Sequence, residues 1–80
     1  MIRWDKFDVD EVTVHQGTPD WTLTQRYVII ENHRAGRCMV GVLFSDIDPE
    51  AIGPVENLET AMRQVTQRDA TDQLLFTVGI

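Results

Sequence analysis

The sequence predicts a small α+β fold, a mostly antiparallel sheet with one helix packed on one of its faces. Three observations predict it. Four runs carry strand-like patterning between turn signals. One segment alone has the period of an amphipathic helix. Eighty residues leave room for one core and one domain, spanning 1–80. The expected order is β-β-β-α-β.

The first strand is read from "EVTVHQ", with Val12 and Val14 on one face. The preceding "WDKFDVD" also alternates, through Phe7 and Val9, but out of phase. A bulge or turn near Asp10-Glu11 reconciles the two. "QGTPDW" then supplies Gly17, Pro19 and Asp20, a turn. "TLTQRYVIIEN" places Leu23, Tyr27 and Ile29 on one face and Val28 and Ile30 on the other. "ENHRAGR" reads as a hairpin loop through Asn32 and Gly36. "RCMVGVLFS" is almost wholly apolar, as a strand covered on both faces would be.

The helix is read from "GPVENLETAMRQVTQ", where Val55, Leu58, Met62 and Val65 trace one stripe beside Ala61. Pro54 fits its first position and Glu56 its third. Glu59 and Arg63 stand four apart in the favourable order. "QRDATDQ" reads as a polar break. "QLLFTVGI" alternates Leu74, Phe76, Val78 and Ile80 and reads as a last strand, parallel to the first and third. Trp4 and Trp21 are expected to close the ends of the core.

Composition narrows the function. No run of eighteen apolar residues is present, so no membrane span is expected. Acids stand in "MIRWDKFDVD" where a secretion signal needs an apolar core. Cys38 is single and lies in an apolar run, so it is expected as a buried thiol in a reducing, cytoplasmic setting. The net charge of -6 disfavours direct contact with nucleic acid and favours a basic protein partner.

The acids concentrate in "FSDIDPEAIGP" and beyond it. The 25 residues from Cys38 to Met62 carry Asp46, Asp48, Glu50, Glu56 and Glu59 and no Lys or Arg. Aligned to a calcium loop from Asp46, the turn glycine falls on Ala51 and the closing acid on Asn57, so no metal is expected there. Asp48 before Pro49 instead suits a helix start. The five carboxylates are the candidate partner-binding set, able to stand in for phosphates. Asp5, Asp8, Asp10 and Glu11 form a second cluster, diluted by Arg3 and Lys6. His15, His33 and Cys38 match no zinc spacing, and the apolar run that follows Cys38 is not the electropositive or helix-start context that would activate it. Arg34, Arg37 and His33 make only a weak basic tip. No glycine-rich phosphate loop occurs. The expectation is a non-enzyme without cofactor or metal.

Three roles stand open: an inhibitor that offers carboxylates to a basic, nucleic-acid-binding partner, an assembly subunit that associates through a sheet edge or face, and a small enzyme or accessory subunit whose site forms only in an oligomer. In length, charge and β-rich build with one helix, and in the acid-only stretch "FSDIDPEAIGPVENLET", the chain resembles the short acidic inhibitors of phages and mobile elements, among them anti-CRISPR proteins. That resemblance implies DNA mimicry toward a protein such as a CRISPR effector complex in the host cytoplasm. A monomer or homodimer is expected, and the charge and the lack of an apolar span lead to the expectation of no direct contact with nucleic acid or membrane.

Overall fold

Five strands form one antiparallel sheet in chain order, and a single helix follows them: β1 (Ile2–Val9), β2 (Val12–Pro19), β3 (Gln25–Asn32), β4 (Arg37–Phe44), β5 (Glu50–Val55) and α1 (Leu58–Val78). The structure is a computed structural model and describes residues 1–79. Ile80, the last residue of the expected final strand, lies outside them. The α+β class and the single helix on one sheet face are as the sequence predicts. The element order differs in three places.

The first is at the start, where "WDKFDVD" is part of a full strand. A two-residue turn at Asp10-Glu11 reverses the chain so that Val9 faces Val12. The turn needs a positive φ, and Asp10 supplies it at 54°. The second is Glu50–Val55, read above as helix approach and found as edge strand β5, paired along β4 with a bulge opposite Val40/Gly41. An edge strand accepts Pro54, whose missing N–H need not serve a ladder. Gly53 takes φ 123°, which a side chain would resist. Asp48 therefore caps no helix. Asn57 does, its Oδ1 accepting from the N–H of Thr60 at 2.8 Å, and the helix starts at Leu58 rather than Pro54.

The third difference is the C-terminal segment. "QRDATDQ" is not a break and "LLFTV" is not a strand; both continue α1. The periodicity explains this. Leu58, Ala61, Met62 and Val65 lead on to Arg68, Asp69, Asp72 and Phe76 at the same three- and four-residue spacing. The stripe changes from apolar to polar while keeping its phase.

Strand register sorts the side chains onto two faces. Tyr27, Ile29, Cys38, Val40 and Val42 point toward α1 and are buried with Ala61 and Val65 of the helix. Leu58, Met62, Ile52, Val55 and Phe44 pack around them. Ile29, Val40, Val42 and Val65 are fully buried, each stabilising the fold by about 1.5–3 kcal/mol. The helix lies over β3, β4 and β5. Over β2, Trp4 does the covering. A Cβ added at Gly17 would stand 3.0 Å from its ring and 2.9 Å from Ile2, so only glycine lets the indole lie this close. Trp4 thus closes one end of the core as expected.

Candidate interaction surface

The far half of α1 is held by hydrogen bonds rather than apolar contacts. Trp21 donates from Nε1 to Asp69 at 2.7 Å, and its ring centroid lies 5.4 Å from that of Phe76. The buried Tyr27 hydroxyl lies 3.1 Å from Asp69 and 3.3 Å from Asp72, within donating distance of each. Gln25 donates to Asp72 at 2.6 Å. Arg68 donates from Nε to both Asp72 oxygens at 2.9 and 3.0 Å and reaches Glu50 on β5 with its two terminal nitrogens. Burial, and then the two facing carboxylates, push the Tyr27 phenol well above its ordinary value. The hydrogen bond from Arg68 holds the Glu50 carboxyl below its own. The network clamps the helix onto the sheet.

The five candidate carboxylates do not share one surface. Asp46 and Asp48 are exposed in the loop between β4 and β5 and make no ion pair among the described residues. Glu50 begins β5 and is bound by Arg68. Glu56 and Glu59 lie past the other end of β5, a strand of six residues, roughly 20 Å long. Glu59 meets Arg63 at 3.4 Å. The second cluster also divides. Asp5 is on the open face 3.8 Å from Arg3, Asp8 accepts from Thr13 on the helix side, and Asp10 and Glu11 form the first turn, where Glu11 reaches Arg34 at 3.9 Å.

The histidines bond within the protein. His15 is buried and meets Glu31 at 2.8 Å; His33 meets the Thr13 hydroxyl at 2.7 Å. No group of three metal-binding side chains occurs among the described residues. A shallow cleft at the helix start gathers Glu31, His33, Arg37, Cys38, Glu56 and Leu58. Its thiol is the wrong kind for a nucleophile, since burial and then the charge of Glu31 push Cys38 up.

The sheet face away from α1 is uncovered. Directly paired residues place Phe7 beside Val14, Val14 beside Ile30, Ile30 beside Met39 and Met39 beside Pro54. An unbroken apolar row therefore crosses all five strands, about 19 Å at ordinary strand spacing. Val9, Val12, Val28 and Leu43 widen it. Phe7 is 51% exposed and Met39 45%. The same face carries Arg3, Arg26 and Arg37 against Asp5 alone, the reverse of the chain's overall sign. The Arg26 guanidinium nitrogen Nη1 is shielded from water and has no acceptor among the described residues.

Sequence reasoning offered a sheet face for assembly without assembling its residues, for a definite reason. "RCMVGVLF" is apolar on both sides, which suggests two covers, and one helix can cover only one side. The signal was present in the alternation. Val14, Val28, Ile30 and Met39 fall in one phase and Tyr27, Ile29, Val40 and Val42 in the other. A second apolar surface lies at the far end of α1, where Leu74, Leu75 and Val78 are each more than 60% exposed.

No protein-family model matches the chain, and neither a curated protein nor a solved structure matches it. Among the described residues, no helix is long and apolar enough to cross a membrane.

Proposed function

We propose that the chain is an assembly subunit that associates with copies of itself through the open face of its sheet. The observation that carries this reading is the apolar row Phe7–Val14–Ile30–Met39–Pro54 on a face nothing covers. With its neighbouring rows it occupies roughly 300 Å² in plan, within the range of the largest apolar patch on a single-chain protein, which is often functional. The sheet's edges support the face as the contact. β1 carries Arg3, Asp5, Lys6 and Asp8, and β5 is short, bulged and holds Pro54. Charges, bulges and proline are the devices that stop edge pairing. No catalytic role is part of the reading.

Sedimentation over a concentration series tests it. The mass should rise with concentration, and Met39→Asp should keep the fold but stay monomeric. A wild type still monomeric at about 1 mM, where a favourable contact of about 4 kcal/mol would be visible, overturns the reading.

One observation favours the inhibitor reading. Asp46 and Asp48 project from one end of the molecule with no cation near them in sequence. A basic partner, such as the DNA-binding surface of a CRISPR effector, would engage that end. Capture that fades steeply with salt and is lost in Asp46→Lys/Asp48→Lys would support it. Capture unchanged by both would remove it.

A further inference from the structure

We infer that the occupant of the open sheet face is the far end of α1 from a second copy. This deepens the assembly reading and rests on it. The argument is complementarity in shape, polarity and charge between two surfaces of one chain.

The far end of α1 overhangs the sheet. Arg68 is tied to Glu50, the first residue of β5, and Asp72 to Gln25, the first residue of β3. Helix beyond Asp72 therefore runs past the sheet end, toward the level of the β2–β3 and β4–β5 loops. Six further residues to Val78 add about 9 Å. They present Leu74, Leu75 and Val78, and the loops at that end add Leu23 and Ile47, 92% and 65% exposed.

The charge there is negative. Beyond Asp72, which Arg68 pairs, the helix carries no charged side chain, and its last turn has no basic residue to offset the negative pole of the helix. Asp46 and Asp48 stand in the adjoining loop. The open face is the counterpart, an apolar row with arginines beside it. Arg3 and Arg26 lie toward one end of the strands and Arg37 toward the other. Two open faces laid together would instead bring six arginines and two aspartates into one contact. The helix-to-face contact joins unlike surfaces and removes that repulsion.

Complementation between two variants tests this. Ile30→Asp spoils the face and leaves the helix end; Leu75→Asp spoils the helix end and leaves the face. Both sites are exposed enough for the fold to persist, which circular dichroism checks, and Met39→Asp and Val78→Asp are the second pair. Each variant alone should bind itself at least tenfold more weakly than wild type. Mixed, the two should form a one-to-one complex that grows no further. If Leu75→Asp and Val78→Asp associate like wild type, and the mixture yields nothing new, face pairs with face: the occupant is wrong and the assembly reading stands. If wild type does not associate, or Ile30→Asp and Met39→Asp associate unchanged, the assembly reading itself fails.

Discussion

Tyr27 is the only tyrosine in the chain, which makes its ionisation directly observable. Its hydroxyl is fully buried and faces Asp69 and Asp72. Ionising it in place would add a third negative charge to a dry site, which is why its pKa lies well above the ordinary value of 10.0. A group with a raised folded pKa contributes stability that is intact below the unfolded pKa and declines as pH rises through that value toward the folded one. Above pH 10 the unfolded chain sheds the proton and the folded one keeps it. Each further pH unit then costs about 1.4 kcal/mol. An 80-residue domain has about 4–12 kcal/mol in all. The assay is tyrosinate absorbance and helical circular dichroism followed together through an alkaline titration. The two signals should change together and with a midpoint well above pH 10, because the phenol ionises only when the fold opens. Tyr27→Phe removes the absorbance change and one hydrogen bond to a charged group, worth about 1.5–3 kcal/mol. A simple one-proton curve centred near pH 10 with the helix signal intact would show that the hydroxyl is neither buried nor clamped.

Three further outcomes follow from the same geometry. Glu50→Gln removes a carboxylate whose folded pKa is depressed by Arg68, so its contribution is present above the ordinary value of 4.5 and disappears as pH falls through the folded pKa; acid denaturation of the variant should be less steep there than that of wild type. Gly17→Ala forces a methyl against Trp4 and Ile2 and should cost about 1–3 kcal/mol in urea, with a shift in tryptophan emission as the indole moves. Asn57→Ala removes the side-chain acceptor at the start of α1 and should cost about 1 kcal/mol; a melting temperature equal to wild type would mean the helix starts elsewhere.

The class of fold and three of the strands were legible because burial leaves a period in the sequence. Tyr27 and Ile29, and Val40 and Val42, recur at every second position on the helix side, and Val12 and Val14 do so on the open face. The helix was legible from Leu58 to Val65 for the same reason. Legibility stopped where polar groups took over the burying positions. Asp69 and Asp72 look like a loop by hydropathy, yet they occupy the sheet side of α1 because Tyr27, Trp21, Gln25 and Arg68 satisfy them. β5 was hidden by Pro49, Gly53 and Pro54, residues that break a central strand but suit an edge. The acidic stretch was legible as charge and not as a surface. Whether its members meet depends on the strand that separates Glu50 from Glu56, and that strand was the one misread.

The strand order carries a consequence for how the chain comes into being. Every strand pairs only with its neighbours in sequence, so loop closures are short and folding should be quick for a β-rich protein. On a ribosome the whole meander can form before α1 has emerged. During that interval both sides of the sheet are bare, because α1 follows the strands in the chain. The nascent chain is most prone to stick to its neighbours in the moments before its own helix closes over Val40 and Val42.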